Sequence, residues 1–143
     1  MLVRCIKNKF ADFEEGPLKN SLRKVIHMDE HEEVGLKVGR TYIVYSINLN
    51  FLIENMPFYY ICDDEQSPYP VPKAASFFEI IDSKPSQYWS FIFESGARGR
   101  YGLFLPEWAN DQGFYERLVD GEQKEKEIFL RYKKQLESEI RFD

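Results

Sequence analysis

Leu36-Lys37-Val38-Gly39-Arg40-Thr41-Tyr42-Ile43-Val44, with the chain that follows it to Asp82, decides how this sequence folds. Gly39 marks a turn, and Thr41 to Val44 strings together β-branched and aromatic residues as a strand does. The pattern runs on to Ile47. Tyr42, Val44 and Ser46 take one side, and Thr41, Ile43 and Tyr45 the other. Both sides hold apolar residues, so this strand lies inside the fold or is covered by another element. Asn48 to Pro57 reads as a connection. Phe58 to Cys62 is a second strand, ending in the acidic turn Asp63-Asp64-Glu65. Pro68, Pro70 and Pro72 cannot donate to a ladder, which restricts the next extended segment to a sheet edge. Ala75 to Asp82 closes the unit that Leu2 to Ile6 opens.

A second part begins near Lys84-Pro85. Gln87 to Glu94 and Gly99 to Leu105 read as strands around the turn Ser95-Gly96-Ala97-Arg98. Trp89, Phe91 and Phe93 share one face of the first arm, and Tyr101, Leu103 and Leu105 one face of the second. The two rows are expected to bury together. Phe114, Tyr115, Leu118 and Val119 predict a short helix. Ile128, Phe129, Tyr132, Leu136 and Ile140, at steps of three and four, predict a long amphipathic C-terminal helix. In the stretch from Lys7 to Gly35, Leu18, Leu22, Val25 and Ile26 predict a short helix, and Asp29 to Glu33 a solvated acidic run.

The length of 143 residues suits one domain. Aromatic residues make up 16%, enough large side chains for a core in a short chain. A net charge of −5 argues against nucleic acid, whose phosphates need a basic surface, and suits a basic protein partner. Met1 to Phe10 carries Arg4, Lys7 and Lys9 and lacks the apolar stretch of a signal peptide. No run reaches the roughly 18 apolar residues of a membrane span. The expected location is the cytoplasm, away from membranes.

Several constellations touch on chemistry. His27 and His31 lie four apart among Asp29, Glu30, Glu32 and Glu33, which on a helix would offer a metal two ligands on one side. Met28 stands where a metalloprotease-type motif needs Glu. Cys5 or Cys62 with a histidine is the available cysteine nucleophile and base, but thiols on apolar strands are inert. Ser95 to Arg100 has glycines and arginines without the Lys-Ser or Lys-Thr of a phosphate loop, and a hairpin turn accounts for it. No cofactor is implied. Tyr42, Tyr59, Tyr60, Tyr69, Trp89 and Trp108, with the acids Asp63 and Asp64, form the candidate binding set. These rings either line a groove or lie in the core with only their polar tips wet.

Arg4-Cys5-Ile6-Lys7-Asn8, Leu36 to Tyr42, Tyr60-Ile61-Cys62-Asp63-Asp64, Tyr69-Pro70 and Phe77-Phe78-Glu79-Ile80, in that order, resemble small bacterial and phage proteins with a Src-homology-three-like barrel. Members of that group are mostly of unknown function, so the resemblance implies fold rather than activity. Such barrels bind proline-rich peptides on aromatic grooves. The resulting expectation is an α+β fold. A small Src-homology-three-like β-barrel core over residues 1–82, with an insertion at 7–35, carries an added β-hairpin and a long C-terminal amphipathic helix over 83–143. All of it forms a single domain, 1–143. The expected function is non-enzymatic binding of another protein, in its specific form a toxin-neutralising immunity protein. Alternatives are a metal-dependent enzyme or metal-binding module using His27 and His31, and a structural or oligomerisation protein.

Overall fold

A computed structural model describes residues 1–65 and 67–141. β1 (Leu2–Cys5) leads through a 3-10 turn (Phe10–Asp12) to α1 (Pro17–Val25), then β2 (Thr41–Ile43), β3 (Ser46–Asn48), β4 (Phe58–Ile61) and β5 (Val71–Ala74). A second 3-10 turn (Ala75–Phe77) precedes β6 (Phe78–Asp82). β7 (Ser90–Phe93) and β8 (Tyr101–Phe104) follow, then α2 (Pro106–Ala109), α3 (Phe114–Val119) and α4 (Gln123–Arg141). The fold is α+β, with two antiparallel sheets in the orders β2-β1-β6 and β5-β4-β3-β8-β7.

The strands do not close into the expected barrel. The reason is the hairpin: β8 pairs with β3, Ile47 opposite Leu103, and extends the second sheet outward by two strands. The long strand read from Arg40 to Ile47 is divided between the sheets, β2 in one and β3 in the other. Pro72 sits on β5, at an edge, where its missing N–H costs no ladder bond.

Two cores result. The first gathers Val3, Phe10, Phe13, Leu22, Val44, Tyr59 and Phe77 between the three-stranded sheet, the 7–35 segment and one face of the larger sheet. The second gathers Tyr45, Tyr60, Phe104, Trp108, Phe129 and Leu136 under α2, α3 and α4. The 7–35 segment is anchored by Lys19, a buried cation on α1. Its Nζ donates to Glu30 at 2.6 Å, Glu15 at 2.9 Å and the Phe13 carbonyl at 3.3 Å. Arg23 also binds Glu30, at 2.8 Å, so this acid of the 29–33 run is engaged rather than merely solvated. α1 begins with Pro17 at its first turn, where a missing N–H is harmless.

The hairpin joins the sheet at Gly102. A Cβ there would lie 2.0 Å from the Ile47 carbonyl oxygen, and φ is +157°. Only glycine lets β8 approach β3 this closely. Gly102→Ala is therefore expected to destabilise the chain by about 3 kcal/mol or more, the range of overpacking coupled to a lost seam. Urea unfolding measures the loss. Unchanged stability would show that the β3–β8 contact is not tight.

Candidate functional site

Most of the expected binding rings are core. Tyr42 and Tyr59 lie in the first core, Tyr60 and Trp108 in the second, all buried. Tyr69 and Trp89 are half-buried. The physical reason is that β4 is covered on both faces, so its neighbouring tyrosines enter opposite cores. Tyr60 meets Trp108 edge-on at 4.8 Å, and Trp108 stacks on Tyr115 at 5.0 Å. These contacts bury the Tyr60 and Trp108 rings against each other and against α3.

The two acids tie loops together. Tyr42 Oη accepts the Lys37 N–H at 2.9 Å and donates to Asp64 at 3.0 Å, while Arg40 pairs with Asp64 at 2.9 Å. Burial, reinforced by Asp64, pushes the Tyr42 hydroxyl up to about 12. Asp63 is buried, accepts the Glu65 N–H at 3.2 Å and pairs with Lys73 at 3.4 Å. Lys73 also donates to the Val34 carbonyl, which binds the insertion to β5.

His27 and His31 are exposed and lie beyond the end of α1, so helical spacing does not bring them together. Among the described residues no group of three or more His, Cys, Asp or Glu is placed to hold a metal ion. Both cysteines are free, and burial raises each thiol to about 11. At neutral pH neither supplies the thiolate a nucleophile needs.

The exposed aromatic cluster lies elsewhere. Phe91, Phe93 and Tyr101 are 62%, 67% and 38% exposed, on the outer face of β7 and β8. Tyr101 meets Phe91 edge-on at 5.9 Å and Phe93 at 5.5 Å, so the rings form one patch. The expected burial of the two rows fails at Phe91, Phe93 and Tyr101, while Leu105 is buried and Trp89 and Leu103 are half-buried. Phe93 opposes Tyr101, Phe91 opposes Leu103, and Leu103 opposes Ile47, so all share one face of the sheet. That face is covered around Ile47 and Tyr59 by the first core. The hairpin overhangs beyond that cover. Its opposite face, with Ile92 and Phe104, lies in the second core under the helices.

The overhang is firmly held. Arg100 donates to the Trp108 and Ala109 carbonyls at 2.6 and 2.8 Å, satisfying the end of α2, and grips Glu94 at 3.0 and 3.2 Å. Gln112 reaches the same carboxylate at 3.3 Å. Trp89 Nε1–H donates to the Tyr45 carbonyl at 2.9 Å, and Asn50 donates to the Gly99 carbonyl at 2.7 Å. The rings therefore sit on a rigid platform, the condition under which aromatic anchors bind with little entropy loss. Sequence reading overlooked them because it assigned their row to the core. The usable signal was the apolar surplus: both faces of the hairpin are apolar, and one set of helices covers one face.

No family model, curated protein or solved structure matches this chain, so the reading of the site rests on its own residues. The platform carries a testable signature. The Arg100 side chain, with the Arg100 N–H and Gln112, holds the Glu94 carboxyl down at about 2. A carboxylate depressed in the folded state stabilises it above the ordinary pKa of about 4.3, and that contribution fades as the pH falls through about 2. Carbon-13 NMR of the Glu94 side chain is expected to show a midpoint near 2, returning toward about 4.3 in Arg100→Ala. An ordinary midpoint in the unsubstituted chain would remove this clasp from the account.

Proposed function

We propose that this chain is a non-enzymatic protein-binding module whose contact surface is the outer face of the β7–β8 hairpin. The observation that carries it is the contiguous, uncovered cluster of Phe91, Phe93 and Tyr101 on a clamped support. Exposed apolar patches with aromatic anchors are the usual mark of a protein contact. The chain's net charge of −5 favours a partner whose apolar contact is surrounded by basic residues. The specific form is an immunity protein that covers a basic toxin surface; acidity supports it.

The Src-homology-three-like relationship of residues 1–82 belongs to the same proposal. The β1 pairings with β2 and β6, the β3-β4-β5 meander and the 3-10 turn between β5 and β6 support that reading. The unit then acts as a scaffold, with binding moved to the added hairpin. Function carried by an addition rather than by the host fold is common. Among the described residues no helix is long and apolar enough to cross a membrane.

Replacement of Phe91 by a photo-crosslinking phenylalanine analogue tests this in native cells. The same analogue at Glu127, on α4, is the control. A discrete adduct with a different protein at position 91, absent at 127, is expected, and Phe93→Ser should abolish it. Identical adducts at both positions, or no heterologous adduct at 91, would sink the reading.

A further inference from the structure

The hairpin has a second unused feature, its edge. β7 is the outermost strand of the five-stranded sheet. The Glu94 N–H donates to the Arg100 carbonyl at 2.8 Å, which makes Glu94–Arg100 a bonded pair of the ladder. Bonded pairs alternate in an antiparallel ladder, so Ile92–Gly102 and Ser90–Phe104 are bonded and the pairs at Phe91 and Phe93 are not. Phe91 and Phe93 therefore turn their backbone N–H and C=O groups away from β8, toward the open side.

The two edges of this sheet are treated differently. β5, at the far edge, carries Pro72 and Lys73, residues that discourage a further strand. β7 is Ser90-Phe91-Ile92-Phe93, with neither charge nor proline. An edge left unprotected while its counterpart is blocked is one suited to pairing.

We propose that two copies of this chain pair along β7, antiparallel about a two-fold axis at Ile92, into one sheet running through both. This goes beyond heterologous binding and rests only on the hairpin being a contact surface. The register follows from the backbone. The outward groups belong to Phe91 and Phe93, so Phe91 of one copy meets Phe93 of the other in a bonded pair, twice by symmetry. The strand is self-complementary about Ile92, with Phe on each side. The contact is a short strand and its rings, smaller than the standard interface of about 1,600 Å2, so the pair is weak and reversible.

Amide hydrogen exchange by NMR, paired with light scattering, tests this on the full chain from about 1 µM to 1 mM, the range over which a weak reversible pair assembles. The mass is expected to double across the range, with the Phe91 and Phe93 amides gaining protection as it does. Phe93→Pro removes one outward N–H and leaves the β8 ladder its bonds, so it should stay folded by tryptophan fluorescence and weaken dimerisation at least about tenfold more than Phe93→Ala, which loses the same ring and keeps the N–H. A chain monomeric throughout would overturn the proposal. So would a dimer in which those two amides stay unprotected, because that dimer uses another surface. Neither outcome touches the heterologous reading, which the crosslink reports by the mass of its adduct.

Discussion

At Val44 and Tyr45 the chain leaves one sheet and enters the other, and the rest of the structure is arranged around that crossing. The Val44 N–H donates to the Met1 carbonyl at 3.2 Å, in the direction of β1. The next N–H, of Tyr45, donates to the Tyr60 carbonyl at 2.8 Å, in β4. The Tyr45 carbonyl accepts Trp89 Nε1–H from the approach to β7. Buried backbone groups must be paired, and at this crossing three separate elements pair them. The side chains divide in the same way, Val44 into the first core and Tyr45 into the second. Two residues thus fix the relation of two sheets, two cores and the hairpin.

That arrangement explains why the outer aromatic face exists. The larger sheet is wider than the cover available on its first-core side, which is supplied by three strands and the 7–35 segment. Its other side is covered as far as the hairpin by α2 and by the rings below it. Burying one such ring is worth about 1.5–3 kcal/mol, more than a surface ion pair returns. A fold that leaves three rings outside forgoes that much in isolation, while the Arg100 clasp and the Trp89 bond hold the hairpin in place. The combination of rigid support and uncovered apolar surface is what a preformed contact requires.

The elements were legible where local chemistry alone decided them. The three- and four-residue steps of α4, the glycine turn of the hairpin and the prolines that send β5 to an edge all act within a few residues. The apolar content of both sides of Tyr42 to Ile47 announced that both sides would be wanted, but not that the run divides between two sheets, with Val44 entering the first core and Tyr45 the second. The outward growth of the sheet was not legible, because it depends on β8 choosing β3, a pairing over some fifty residues that rests on the missing side chain of Gly102. The candidate site failed for a related reason. Periodicity tells which residues share a face, and the grouping of Phe91 with Phe93 was correct. It does not tell which face is covered, since that depends on the reach of a distant layer. Tyr59 and Tyr60 show the converse: the same residue type, adjacent in sequence, drawn into opposite cores.

The open edge and the uncovered face are separate consequences of one overhang, and they do not compete. In an antiparallel ladder, directly opposed residues lie on the same face of the sheet. Pairing at β7 therefore keeps the aromatic rows of both copies on one side, where Phe91 and Phe93 of each continue into those of the other. A joined sheet lengthens the patch instead of hiding it, and the helices of both copies stay together on the reverse side. A partner with a single apolar contact would use one row. A partner with a repeated contact would engage both, and the linkage would raise its affinity without any new kind of bond. The stoichiometry of the complex then depends on the edge and its chemistry on the face, and because Phe91 and Phe93 supply both the outward N–H groups and the rings, loss of an N–H beyond loss of its ring should act on assembly, while loss of the ring should act on recognition and on the pair itself.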